Sequence, residues 1–413
     1  MIKKIICMAT SLLMLISIMT ACDNGDSQSS VDESVSSTVE SKTAEKIDIS
    51  KGASEKMLER SVLFEGDTSR LAEKLNNALS DKEYMTKICF LGDSITQGSS
   101  AQSSSNQYVN RFKTWWEENV SYFVDVTNAG IGATDSYLGV HRVQTDVLDL
   151  KPDIIFIEFI NDSDDFFFKS AMDSLVRKCM ALENNPAVVL IEMTMDNGAS
   201  AQNVHSEVAK AYNVPVISYH DAIMAEINAG TLNWKDISPD NIHPNDIGHG
   251  MLAQMLTSFV GKIKDNIDSY DKQSKPFDAK PVTEDKYADA RCVDRQSSEV
   301  TVIDEGSFTE TASFGRFGAG WGTTTGGSAT FEMEFKNLGM LYMKTIDGLS
   351  GNVTITVDGK EVKPVSGDFS GGWGNYMKAD EIYTSDERAK HTITVTVNDG
   401  DKKNFKILSW MLS

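Results

Sequence analysis

The stretch Lys87-Ile-Cys-Phe-Leu-Gly-Asp-Ser-Ile-Thr-Gln-Gly98 decides the fold. Its apolar run at 88–91 is too short for a helix and stops at the turn-forming pair Gly92-Asp93, which predicts a buried strand. A polar, serine-rich segment follows at 99–105. Ser94 therefore stands just past a strand end, where open α/β sheets place their ligands. Its hydroxyl becomes a nucleophile if a base and an oxyanion site converge on it.

Outward from this strand, helix and strand patterns alternate. Residues 67–80 carry Leu71, Leu75 and Leu79 at helical spacing behind cap-forming residues. Helices are predicted at 106–119, 137–148, 166–184, 202–212 and 220–228, and strands at 123–127, 152–159, 187–193 and 214–218. An irregular stretch, 230–245, precedes a last helix at 246–265. Such alternation specifies a parallel sheet covered by helices on both faces. Five strands are the count of a flavodoxin-like sheet, so 59–270 is read as a flavodoxin-like α/β domain. Ser94, the segment 128–136 and Asn161-Asp162 all fall just after strand ends, hence on one edge of that sheet.

Beyond this domain the texture changes. Residues 271–296 are charged and contain proline, the composition of a linker. From 297 to 413, short alternating runs (299–303, 329–335, 340–345, 353–357, 391–397, 405–411) are separated by turns such as Asp347-Gly348 and Asp358-Gly359. They predict an all-β sandwich, jelly-roll-like, as an accessory domain. Two aromatic-glycine segments, 318–322 and 371–374, read as loops; Trp321 and Trp373 are taken as plugs of the sandwich, with stacking on sugar as the alternative. Trp115 and Trp116 are expected in the core of the α/β domain.

At the other end, Lys3 and Lys4 precede an apolar run at 5–19 that is short for a membrane span and has signal-peptide flanks. Met19-Thr20-Ala21-Cys22 resembles a bacterial lipobox, which makes Cys22 the expected lipidation site; an ordinary cleaved signal is the alternative. Each buried acyl methylene would contribute about 0.8 kcal/mol to anchoring. Residues 23–58, rich in Ser, Asp, Glu and Thr, predict a disordered spacer, because such a segment cannot bury enough apolar surface to offset its ordering entropy. The expected location is thus extracytoplasmic, at a bacterial cell surface.

Composition narrows the function classes. At 413 residues two domains plus extensions are the default, and a composition 40% hydrophobic and 24% charged gives ample material for a core. A net charge of −21 argues against nucleic acid, which demands clustered Lys and Arg. Beyond the spacer only Cys89, Cys179 and Cys292 remain, an odd and scattered set that forms neither a disulfide framework nor a zinc site.

The irregular stretch contains Asp240-Asn-Ile-His243-Pro244, just before the last helix. Asp and His three residues apart let one loop present both, the carboxylate orienting the imidazole. His249 also follows an aspartate, Asp246, at this spacing, but that aspartate is placed to start the last helix; His220 and Asp221 are adjacent in reversed order. His141, His205, His220 and His391 lack an Asp three residues before them and read as structural or solvated. Gly-x-Ser-x-Gly is absent, which excludes the nucleophile elbow of α/β-hydrolases.

Four segments together resemble the SGNH, or GDSL-like, hydrolase superfamily over residues 60–267. Gly92-Asp93-Ser94-Ile95-Thr96 resembles its first block, 128–136 its second, Phe159-Ile-Asn161-Asp162 its third and Asp240-x-x-His243 its last. The resemblance implies Ser94 as nucleophile, His243 as general base and then acid, and Asp240 as the residue that orients His243. It implies an oxyanion hole made by the N–H of Ser94, an N–H from the second block and the side-chain amide of Asn161. The family's oxyanion glycine aligns best with Ala133, with Gly132 one place earlier, and the choice between them stays open. Phe159 replaces a glycine often found there and is expected to narrow the pocket. No cofactor and no metal are called for. A lipid-anchored member with an appended β domain resembles bacterial carbohydrate esterases that remove O-acetyl groups from polysaccharides or oligosaccharides, with an acetylated glycan or another small ester as substrate. The alternatives are a lipase or general short-chain esterase, and a non-catalytic glycan-binding lipoprotein.

Overall fold

A computed structural model describes residues 46–413. The expected targeting segment, Cys22 and residues 23–45 lie outside the described residues. The strands β1 (Val62–Phe64), β2 (Thr86–Gly92), β3 (Val124–Gly130), β4 (Ile154–Glu158), β5 (Ala187–Glu192) and β6 (Val216–Ser218) form one sheet in the order β1-β6-β5-β4-β2-β3. β2 to β6 are parallel, in the strand order of a flavodoxin-like sheet. The sixth strand, β1, pairs antiparallel to β6 at the edge. At three residues it is too short for an alternating pattern to show in the sequence.

The helices are α1 (Glu55–Ser61), α2 (Ser69–Ser80), α3 (Ser94–Gln97), α4 (Tyr108–Asn119), α5 (Ser136–Asp146), α6 (Phe166–Met180), α7 (Gln202–Tyr212), α8 (Tyr219–Asn228), α9 (Trp234–Ile237) and α10 (Asp246–Asp265). The central strands carry continuous apolar runs (88–91, 154–157 and 187–191) because both faces are covered, as a parallel sheet requires. Ile88 and Phe90 of β2 join Phe156 of β4, Phe112 and Trp116 of α4 and Leu256 of α10 in one core. Cys89 and Leu91 point the other way, joining Ile155 and Ile157 of β4, Val143 of α5 and Leu175 of α6 in a second. The Phe90 and Phe156 rings stack at 4.6 Å and Phe112 meets both edge-on.

The second domain is antiparallel. Its strands are β7 (Arg291–Val293), β8 (Thr301–Asp304), β9 (Glu310–Phe314), β10 (Phe317–Thr323), β11 (Gly327–Lys344), β12 (Asn352–Val357), β13 (Lys360–Glu361), β14 (Val365–Ser366), β15 (Tyr376–Val397) and β16 (Phe405–Leu412). All ten connect into one hydrogen-bonded sheet, which closes around its own core of Trp321, Phe331, Phe335, Ile355, Ile393 and Trp410. The runs expected at 329–335 and 340–345 are a single strand, β11. Its first half alternates buried and exposed residues, whereas its second half is buried on both sides. There Met340 and Tyr342 face the β core, while Leu341 and Met343 pack with Met377, Leu408 and Met411 onto the second core of the α/β domain.

Three expectations need correction. The spacer does not reach residue 58: Ile47, Ile49 and Ala53 pack on the first core, and the Ile47 N–H donates to the Thr231 carbonyl. Residues 271–296 are not a free linker. Phe277, Ala279 and Val282 lie against the second core, Tyr287 and Ala290 are buried in it, and the Tyr287 hydroxyl donates to Glu381 at 2.7 Å. A few apolar anchors hold a polar segment down as a strap between the domains. Residues 318–322 are not a loop but part of β10, where a Cβ on Gly320 would meet the Ile407 carbonyl at 2.0 Å.

Beneath this strap lies His141, buried, with Nδ1 2.7 Å from the Tyr137 carbonyl. Burial pushes its pKa down from 6.5 to about 3. Within that window the unfolded chain binds a proton that the native state refuses, so stability from this group is full above pH 6.5 and is lost as pH falls. In urea melts, wild type should lose stability relative to His141→Gln by up to about 1.4 kcal/mol per pH unit on acidification. Parallel pH dependences of the two proteins would contradict the assignment.

Candidate active site

The carboxyl end of β2 presents Ser94. Gly92 is required there, because a Cβ would stand 2.1 Å from Thr96 Oγ1 and 2.7 Å from the Glu158 carbonyl. Asp93 caps the single turn of α3 by accepting the Ile95 N–H at 3.1 Å. This turn lifts Ser94 to the rim in the crevice where β3 and β4 leave β2 on opposite sides, the switch point of the sheet. The Ser94 hydroxyl lies 2.9 Å from His243 Nε2, and His243 Nδ1 lies 2.7 Å from Asp240 Oδ2. Asp240 Oδ1 also accepts the N–H groups of Ile242 (2.9 Å) and His243 (2.7 Å). Partial burial pushes the Asp240 carboxyl up, but the bonds from His243 and Ile242 outweigh it and hold its pKa below the usual range. With Asp240 accepting the Nδ1 proton, Nε2 is left as acceptor for the serine O–H.

The loop that carries Asp240 and His243 is fastened from below. The buried Ser238 hydroxyl sits within 2.9 Å of the Asp240 carbonyl and 2.7 Å of the His243 carbonyl, and Trp234 Nε1 donates to the Asp240 carbonyl at 2.6 Å. Asn245 then caps α10 by accepting the Ile247 and Gly248 N–H groups. The rival His249 is buried, faces the Ser99 carbonyl at 3.1 Å and stacks on Tyr108. Asp246 is occupied by Gln102 N–H and Asn106 Nδ2.

The oxyanion candidates line the same cleft. Among the described residues the N–H groups of Ser94 and Ala133 have no intramolecular acceptor, whereas the Gly132 N–H donates to Gln97 Oε1 at 2.9 Å. Ala133 adopts φ +59°, a left-handed conformation that glycine reaches without strain. Asn161 lines the cleft, and its amide nitrogen donates to Asp93 Oδ2 (2.9 Å) and to the Thr134 carbonyl (3.0 Å).

Behind these groups lies a buried polar scaffold. Asp93 also accepts the Asn161 N–H; burial, then the neighbouring Glu158 carboxylate, pushes its pKa well up. Glu158 in turn accepts the Thr96 hydroxyl at 2.7 Å. Asp162 accepts the Ser136 N–H and meets His205 Nε2 at 3.0 Å, and Glu192 meets His205 Nδ1 at 3.2 Å. Burial works against the charged imidazole, but its two carboxylate partners prevail and raise the His205 pKa to about 10. No local motif signals this role of His205, because its partners Asp162 and Glu192 lie on other elements.

The cleft over Ser94 encloses roughly 720 Å³, and its far wall comes from the β domain: Phe314, Gly315, Trp373, Asn375, Tyr376 and Met377. Of these only Trp373 was singled out in the sequence. It is 71% exposed, stacked on Tyr376 at 5.0 Å. Trp321 cannot contact sugar, because it is fully buried in the β core against Phe331. Phe159 does not narrow the pocket; its ring lies under α5 against Gly139, and it is absent from the cleft wall. Among the described residues no group of three or more His, Cys, Asp or Glu is arranged to hold a metal.

Because a backbone N–H needs no particular side chain, Ala133→Gly should keep kcat within about threefold while relieving left-handed strain of roughly 1–2 kcal/mol, partly offset by the chain entropy of glycine. A melting temperature equal to or above wild type, with activity retained, is the expected outcome. A loss of kcat of a hundredfold would show that the alanine methyl itself is needed.

Residues 90–251 match the model of the GDSL-like lipase/acylhydrolase family. A two-domain esterase active on acetylated mannans is 30% identical, covers 86% of this chain and 98% of its own, and superposes with a TM-score of 0.78. The same kind of esterase co-crystallised with mannopentaose gives the same identity and TM-score, over 86% of this chain and 97% of its own. A lipase/acylhydrolase from Enterococcus faecalis is 25% identical over 47% of this chain and all of its own, with a TM-score of 0.36. No curated protein sequence matches the chain. The chain belongs to the GDSL-like lipase/acylhydrolase family and is a carboxylic ester hydrolase.

Proposed function

We propose that this esterase removes O-acetyl groups from polysaccharides or oligosaccharides through an acyl-enzyme on Ser94. The observation that carries the reading is the hydrogen-bonded series Ser94 Oγ, His243, Asp240, at 2.9 and 2.7 Å. His243 Nε2 takes the serine proton as Oγ attacks the acetyl carbonyl, and Asp240 supports the imidazolium that forms. The oxyanion lies between the N–H groups of Ser94 and Ala133. The Asn161 amide, which lines the same cleft, is the third donor of this reading. Each such donor lowers the barrier by roughly 3–4 kcal/mol. Collapse breaks the bond to the sugar oxygen, which leaves with the proton from His243. Water, deprotonated by the same imidazole, then releases acetate and restores the serine.

The glycan part of the reading rests on the cleft wall. An exposed indole stacked on a phenol offers an apolar face to a sugar ring, and Gln97, Ser99, Asn241 and Asn375 add polar groups beside it. The activity of the two-domain relative on acetylated mannans makes mannan the first substrate to try. Ser94→Ala should reduce acetate release from acetylated mannan by about a thousandfold or more. Trp373→Ala should raise KM on that polymer by about five- to tenfold, the worth of one aromatic contact, and leave a small ester such as 4-nitrophenyl acetate within about twofold. Equal losses on both substrates would assign Trp373 to the fold instead.

The same reading anchors the enzyme at the outside of the cell through acylated Cys22, with residues 23–45 as spacer. Metabolic labelling with palmitate should mark the membrane fraction, and Cys22→Ser should abolish the label and release the protein. A label retained in that variant would refute this anchor.

A further inference from the structure

Helix α3 is fastened to the end of β3 and the turn after it at three points. Asn128 Nδ2 donates to the Thr96 carbonyl at 2.7 Å. A Cβ on Gly130 would stand 2.2 Å from the Gln97 nitrogen, so the strand end lies directly on the backbone of α3. The third point is the Gly132 N–H bonded to the side-chain oxygen of Gln97, an exposed residue on the cleft. Unlike the other two, it reaches into the oxyanion turn itself.

The peptide unit between Ile131 and Gly132 is held at both ends. The Thr134 hydroxyl donates to its carbonyl at 2.6 Å, and Gln97 Oε1 accepts its N–H. The next peptide carries the Ala133 N–H. A non-glycine residue at φ +59° stays there only when its surroundings over-determine it, because a rotation of the adjoining peptide would relieve the strain. Such a rotation would also turn the Ala133 N–H away from Ser94. A donor misplaced by about 1 Å loses much of its effect on the barrier.

We infer that Gln97 is a positioning residue: its carboxamide oxygen fixes the Ile131–Gly132 peptide and thereby holds the Ala133 N–H on the developing oxyanion. The inference rests on the proposed acyl-enzyme reading. It also accounts for the glycine at 132: a Cβ there would come within 2.8 Å of Gln97 Oε1 and displace it, although the backbone at 132, unlike that at 133, lies outside the positive-φ region.

The test is a set of variants assayed on 4-nitrophenyl acetate, which leaves the glycan-binding wall out of the measurement. Gln97→Met keeps the length of the side chain and removes the acceptor. It should lower kcat about tenfold or more with KM within about twofold. Its melting temperature should stay within about 2 °C of wild type, since an exposed residue is removed. Gly132→Ala should cause a similar loss in the wild-type background and almost none in Gln97→Ala, where the space is free, so the two losses do not multiply. An unchanged kcat in Gln97→Met, or losses that multiply in the double variant, would overturn the inference. If Gly132→Ala fails to fold, Gln97→Met decides alone. Turnover retained in Ser94→Ala would remove the underlying reading, whereas an inactive Ser94→Ala beside a fully active Gln97→Met removes only the role of Gln97.

Discussion

The hydrogen bond between Ser94 and His243 joins chain segments 149 residues apart, and most of the α/β domain serves to make it. A serine hydroxyl alone is a poor nucleophile, so the chemistry depends on bringing an imidazole to it without freezing either group in the wrong place. The sheet does half of this by ending β2 at the switch point. The other half falls to the loop before α10, where a buried serine and a tryptophan N–H tie down the carbonyls of Asp240 and His243. Neither partner moves the side chains directly; each removes freedom from the backbone that carries them. Asp240 and His243 are partly exposed, which would let water reach the proposed acyl-enzyme.

The polar groups under the rim solve a harder problem. Asp93, Glu158, Asp162, Glu192 and Arg142 are buried, and unpaired buried charge is costly. Apart from the Arg142 Nε, which has no partner, they are bonded largely by the segments that form the site. Arg142 bonds the carbonyls of Gly92 and Ala129 at the ends of two strands. Asp93 takes two N–H groups of Asn161, and Asp162 takes the N–H that begins α5. The network thus welds three loops into one rim. The β domain completes the site from outside. Its attachment is an apolar contact continuous with the second core, so its cleft wall is held by the same packing that stabilises the sheet.

What was legible in the sequence was local. Ser94, Asn161 and the Asp240–His243 pair each sit in a short motif, and the parallel sheet follows from the alternation of strands and helices of ordinary length. Three things were hidden because they depend on distant partners. The polar composition of 271–290 concealed a strap held by a few apolar side chains. The alternation of β11 vanished where a second domain buries its outer face. Gln97 occupies the Gly132 N–H and leaves that of Ala133 free, and nothing in the motif announces that contact. Trp373 and Trp321 occupy similar aromatic-glycine surroundings, yet one crowns the cleft and the other fills a core.

The central claim is that Ser94 is the group that becomes acylated. An organophosphate ester such as diethyl 4-nitrophenyl phosphate reports on it directly, because it phosphorylates a serine only when base and oxyanion donors are assembled around it. Complete inactivation with one diethylphosphoryl group, found by peptide mass spectrometry on Ser94, is the predicted result. Full loss of esterase activity with Ser94 unmodified and the label on another residue would contradict the account.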